Sequence, residues 1–153
     1  MKIIRPLTNI VSEKVKSWKE IRNEALELQE FLRAKDFDGY WEDAYAISHV
    51  QVSTTPKKFF VLNDSMVKTF GHWCVINLKI TRKSIPCTFP EGCMSFPFRK
   101  TKRVNRFNKI RVRYWVPVFD LFLIPKWKTL TGMSAFIAQH EYDHSNGINI
   151  YGL

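Results

Sequence analysis

The 153-residue chain has no run of about 18 apolar residues, the minimum for a helix that crosses a bilayer. Its first residues, Met1-Lys2-Ile3-Ile4-Arg5-Pro6, lack the apolar stretch of a secretory signal. Only three cysteines occur, at 74, 87 and 93. An odd number without framework spacing argues for a reducing cytoplasm rather than a disulfide scaffold. No internal repeat, low-complexity segment or change of composition divides the sequence, so residues 1–153 read as a single domain. Hydrophobic content of 45% and charged content of 25% are ordinary for a domain with one core.

Against this background one stretch carries chemistry: Gln139-His140-Glu141-Tyr142-Asp143-His144. Two histidines four apart share one face of a helix, so both imidazoles can reach a single cation. Glu141 then stands beside that cation, placed to take a proton from a bound water. The spacing of Met133, Phe136, Ile137, His140 and His144 predicts a helix, with Thr131 as its cap and Asn146-Gly147 as its stop. The same short pattern also arises in helices whose histidines make ordinary hydrogen bonds. A catalytic metal needs a third protein ligand. Nine residues follow His144, and none is His, Cys, Asp or Glu. The third ligand must therefore lie upstream, and Cys93, beside the permissive Gly92, is the best candidate.

Glu91-Gly92-Cys93-Met94-Ser95-Phe96-Pro97 resembles the E-G-C-L-S-x-P motif of the peptide deformylases. Gln139 to Gly147 is similar to their Q-H-E-x-D-H-L-x-G motif, in the same order and at about the same spacing. A weaker match to the first family motif, G-x-G-x-A-A-x-Q, falls on residues 44–51. There Ala44 and Ala46 replace both glycines, and Ser48-His49 replaces the alanine pair; Ile47 and Gln51 agree. The resemblance implies an α+β fold in which antiparallel strands wrap a central metal-binding helix. It implies removal of the formyl group from formyl-methionyl peptides, a step in N-terminal methionine processing during protein biosynthesis.

The resemblance also implies the roles of the individual residues. Cys93, His140 and His144 would hold one divalent metal ion, Fe2+ in the cell with Zn2+ or Ni2+ taken up in preparations. Such a cation brings the pKa of a bound water close to about 7. Glu141 would act as general base and then acid, while Gln51 and the Met94 N–H would donate to the developing oxyanion. Glu91 and Asp143 would fix the loop and imidazole geometry, with Arg106 as a partner for Glu91. Tyr45, Ala46, Gly92 and Phe136 would line the substrate. The chain ends soon after the histidine motif, as in short phage-encoded members without a C-terminal helix. A host cytoplasm and a monomeric state are the corresponding expectations. Two rival readings stand beside this one: a metalloprotease, and a catalytically impaired basic protein that binds RNA or the ribosome.

Elsewhere the pattern predicts a helix over residues 12–34 with Ser12 as cap, and buried Cys74 and Cys87 thiols. Asp36-Phe37-Asp38-Gly39 breaks that helix. Strands are expected at Phe59–Leu62, 73–80, 110–116 and 121–124. Asn63-Asp64-Ser65 reads as a turn, Pro86, Pro90 and Pro97 as braces of the Cys93 loop, and residues 125–128 as a connector. The formal charge is +10, and eight of the fifteen residues from Arg99 to Arg113 are Lys or Arg. That excess suits weak, salt-sensitive contact with RNA or the ribosome, or simply a solvated strand face.

If Cys93 supplies the missing ligand, the purified protein carries one divalent metal per chain, lost in Cys93→Ala and His144→Ala. Elemental analysis of the three proteins decides this, and full occupancy in Cys93→Ala would sink the ligand set.

Overall fold

The structure, a computed structural model, describes residues 1–3, 10–34, 44–93 and 101–152. Met94, Pro97, the Asp36–Gly39 break and residues 40–43 lie outside the described residues. In chain order the elements are α1 (Trp18–Ala34), β1 (Ala46–Ser48), β2 (Phe59–Leu62), α2 (Asp64–Phe70), β3 (Cys74–Glu91), β4 (Lys102–Val118), β5 (Phe122–Thr131) and α3 (Met133–Ser145). A 3-10 turn spans His49–Gln51 and another spans Ile150–Gly152. The strands form one antiparallel sheet in sequential order, β1-β2-β3-β4-β5. The α+β expectation is borne out.

Period-two alternation sorts the sheet into two cores. Phe59, Val61, Cys74 and Ile76 face α1, meeting Trp18, Ile21, Ala25, Leu28 and Leu32. Their neighbours Phe60, Leu62 and Val75 face the opposite way, joining Val112, Tyr114, Val116 and the Ala135, Ile137 and Ala138 face of α3. The histidine helix therefore lies against the inner face of the sheet. Tyr114 is fully buried, and its hydroxyl donates to the Phe70 carbonyl at 2.6 Å.

Several boundaries differ from the pattern-based expectations. Helix α1 starts at Trp18, not near Ser12, because residues 12–15 are bonded to segments distant in sequence. Ser12 N–H donates to the Ser145 carbonyl and Glu13 N–H to the Pro56 carbonyl. The Asn77 side chain accepts from Val15 N–H and donates to Val15 C=O, from a left-handed backbone at φ 52° that asparagine tolerates. The Glu20 carboxylate accepts from Lys16 N–H at the true helix start. Asn63-Asp64-Ser65 opens helix α2 rather than a simple turn. Strand β3 runs through Pro86 and Pro90 to Glu91, so these prolines sit within a strand, paired with Phe107 and Arg103. Cys74 is buried as expected, but Cys87 is only half-buried. Residues 125–128 belong to β5, an edge strand that tolerates Pro125. Gly132, at φ 59°, precedes α3 in place of Thr131, and Gly147 at φ 76° closes it as expected. No described helix is long and apolar enough to cross a membrane.

Asp120, at the β4–β5 turn, accepts from Trp18 Nε1–H at 2.7 Å and pairs with Arg22. The hydrogen bond from Arg22, then that from Trp18, hold its carboxyl below the usual range. A carboxylate depressed on folding contributes stability above its unfolded pKa and loses it as pH falls through the folded value. Asp120→Asn is therefore expected to lower Tm at neutral pH. The difference from the parent should close in acid, below the ordinary aspartate range, as read by thermal melts across pH.

Candidate metal centre and its pocket

Three sequence-distant segments converge at the inner face of α3. Cys93, just past the end of β3, places Sγ 3.4 Å from His144 Nε2, and His144 Nε2 lies 3.0 Å from His140 Nε2. All three ligand atoms lie within 4.8 Å of one another. Cys93 and His144 are 2% exposed, whereas His140 is half-buried.

The two Nε2 atoms and the cysteine sulfur face one point. A proton on one of them, or a metal ion among the three, would keep their lone pairs from meeting. Burial lowers the His140 pKa, but hydrogen bonds to Cys93 and Glu91 outweigh it and raise the group to about 10. Burial, then the neighbouring His140 charge, drives His144 well below the usual imidazole range. A soft thiolate with two imidazoles is also a donor set that suits zinc or ferrous iron. The residues fit a divalent cation.

A buried polar chain holds the cluster. Glu91 Oε1 lies 2.7 Å from His140 Nδ1 and fixes that ring. Arg106 on β4 grips Glu91 with Nε and Nη2 at 2.7 and 2.9 Å. Its Nη1 donates to Asp143 Oδ2 at 2.6 Å. Glu91 thus contacts a histidine directly, whereas Asp143 acts through Arg106. Burial raises the Glu91 pKa, yet Arg106 and His140 outweigh that and hold it low. Gln139, present in the motif but given no task by the sequence, clamps α3 to β4. Its side-chain amide accepts from Phe107 N–H at 2.9 Å and donates to Phe107 C=O at 2.8 Å. His144 Nδ1 is buried without a hydrogen-bond partner among the described residues.

The altered first motif is tied into the same site. Gln51 Oε1 accepts from Ser48 N–H at 2.9 Å, which turns its Nε2 toward Cys93 Sγ, 4.0 Å away. Ser48 Oγ donates to Glu141 Oε2, and both side chains are buried. Burial raises the Glu141 pKa, against the opposing effects of His140 and of the Ser48 hydrogen bond. His49 faces away from the site: it stacks on Phe59, accepts from Lys57 N–H at 2.9 Å and pairs with Glu24 of α1. Both departures from the alanine pair thus have partners in this chain. Sequence reading treated Ser48 only as a mismatch; a hydroxyl at a buried alanine position was the available signal.

A pocket of about 270 Å³ opens beside the cluster. Tyr45, Ala46, Gly92 and Phe136 all line it, with Gln51, His140 and Glu141. Sequence reasoning missed Phe89, Met133 and Ile137, which complete its apolar wall; Phe89 stacks on Phe136 at 4.3 Å. Phe89 comes from the part of β3 expected to be loop. Met94 lies outside the described residues.

Fold and site together define a class: an α+β domain whose inner helix carries a His-Glu-x-x-His cluster joined by one cysteine. The sequence model of the polypeptide deformylase family matches residues 2–152, and the chain belongs to that family. It is 37% identical over 92 residues to peptide deformylase 1 of Clostridium perfringens, covering 60% of this chain and 58% of that protein. It is 37% identical over 75 residues to peptide deformylase 1 of Coxiella burnetii, covering 49% and 42%. These matches span about half the length of the curated relatives. Among solved structures, the deformylase of Vibrio parahaemolyticus bacteriophage VP16T, in complex with actinonin, superposes with a TM-score of 0.76 at 28% identity. That match covers 98% of this chain and 100% of the phage chain. A probable peptide deformylase from Synechococcus phage S-SSM7 gives a TM-score of 0.73 at 27% identity, over 99% and 97%.

Arg106→Leu would leave Glu91 and Asp143 without their cation and free the His140 ring. Breaking a buried charge pair is expected to cost about 3 kcal/mol of stability. Loss of ring orientation should weaken metal binding by about 10–100-fold. Thermal melts and chelator competition read the two effects separately.

Proposed function

We propose that this chain is a metal-dependent hydrolase that removes the formyl group from N-terminal formyl-methionine. The observation that carries the reading is the convergence of Cys93, His140, Glu141 and Gln51 on one pocket, with His144 clustered against Cys93 and His140. Residues 1–153 serve as one catalytic domain, acting in the cytoplasm as a monomer, with Fe2+ as the cation in the cell. A formamide resists hydrolysis near neutral pH because water is a poor nucleophile. A divalent cation held by Cys93, His140 and His144 supplies Lewis acidity, polarising the carbonyl and acidifying water.

The chain's own groups do the rest. Glu141 accepts a proton from water in the pocket and delivers one to the leaving amine, releasing formate and a free N-terminus. Its elevated pKa suits both directions of that transfer. Ser48 holds the carboxylate in one orientation. The Gln51 amide, aimed by Ser48 N–H, donates to the oxyanion as it forms; Met94 N–H is the second donor in this reading. The methionine side chain enters the apolar wall of Tyr45, Phe89, Met133 and Phe136. Because β1 is an edge strand, the peptide backbone can add alongside Tyr45 and Ala46.

Metal-loaded protein is expected to deformylate a formyl-Met dipeptide and leave an internally blocked peptide intact; cleavage of the latter would favour a protease. Glu141→Gln should lose about 10²–10⁴-fold in turnover, and Gln51→Ala about 10²–10³-fold, mainly in kcat. Metal content should be unchanged in both. Wild-type turnover in Gln51→Ala would overturn the oxyanion assignment.

A further inference from the structure

The charges of this chain are segregated. Residues 65–119 hold twelve Lys and Arg but only one acid, Glu91, which is buried in the site just described. Strands β3 and β4 spend several of these cations on the sheet face opposite α3. Strand register sets them in rows: Lys79 opposite Arg113, which is opposite Trp127; then Arg82, Arg111 and Thr129; then Ser84, Lys109 and Thr131. Lys79, Arg82, Lys109, Arg111 and Arg113 are all exposed, and Trp127 is 59% exposed. Among the described residues none of these five cations has an ion-pair partner.

Like charges at adjacent ladder positions repel one another, and no ion pair among the described residues offsets that cost. Strands about 4.8 Å apart and rows about 7 Å apart make a flat grid of positive charge. An indole stands at its edge.

We propose that this face of β3, β4 and β5 binds single-stranded RNA. The cations take successive phosphates, and Trp127 offers a stacking surface to an unpaired base. A lipid surface fits less well. It would want a cluster of apolar side chains beside the cations; Ile85 is exposed next to the Ser84 row, but the exposed group Phe119, Leu121 and Phe122 lies at the far end of the hairpin, about 20 Å from Arg113 along the strand. The choice of RNA over other polyanions rests on the deformylase reading, since formylated chains are made on an RNA-rich particle. The face lies apart from the pocket, so RNA binding and deformylation are separable.

The test is fluorescence anisotropy of a labelled single-stranded 12-mer RNA with the full chain, titrated from ~50 to ~300 mM salt. A log–log salt slope of about −2 to −3.5 is expected for three to five phosphates. Arg111→Gln/Arg113→Gln should reduce the slope by about 1.4, whereas Lys19→Gln/Lys68→Gln, which removes the same charge elsewhere, should change it little. Trp127→Ala should weaken binding roughly tenfold. Circular dichroism of each variant confirms folding, and turnover of a formyl-Met dipeptide should be unchanged in all of them. No binding at ~50 mM salt, equal losses in both double variants, an unaffected Trp127→Ala, or binding only to anionic vesicles would each overturn the proposal. RNA binding by a protein without deformylase activity would leave the surface standing and remove the catalytic reading instead.

Discussion

The bidentate grip of Arg106 on Glu91 is the interaction on which the site depends. It joins the last residue of β3 to β4, and through Asp143 and His140 it joins both strands to α3. A buried ion pair of this kind gains little net stability over apolar packing, because both charges are stripped of water. Its value lies in geometry. With Glu91 held, the chain can turn directly at Gly92 and bring Cys93 against His144. With His140 held through Nδ1, its other nitrogen faces the same point.

The surroundings explain why such a polar cluster is tolerated inside a small domain. The sheet separates two apolar cores, one under α1 and one under α3, and the polar groups occupy the end of the inner core. Each buried charge meets a partner there: Glu91 and Asp143 share Arg106, and Glu141 accepts from Ser48. The open side of the cluster is walled by aromatic and aliphatic groups. Low dielectric strengthens every interaction in such a space, including those a cation would make with its three ligands.

The first motif departs from the family pattern at Ala44, Ala46, Ser48 and His49, yet Gln51 still faces Cys93. Its two alanine-for-glycine changes fall at Ala44 and Ala46, both of which line the pocket, and Ala46 also packs into the inner core. Ser48 and His49 do more than fill space, since one reaches the site and the other fastens the turn to α1. Gln51 keeps its orientation because the contact that aims it comes from a backbone N–H, which no substitution at Ser48 other than proline removes.

Local chemistry was enough to read the helix under His140 and His144, the alternation of Phe59–Leu62 and of residues 110–116, and the residues of the cysteine motif. Those features are written in spacings of two, three and four residues, which a chain carries whatever it packs against. The limits of α1, the length of β3 and the strand character of Pro125–Lys128 were not legible. They depend on pairing with segments tens of residues away, as when Asn77 bonds the Val15 backbone or β4 draws Pro86 and Pro90 into its ladder. The hydroxyl of Ser48 belongs to the same class. Nothing near it in sequence marks its contact with Glu141, because that contact exists only once β1 and α3 have been packed against the same core.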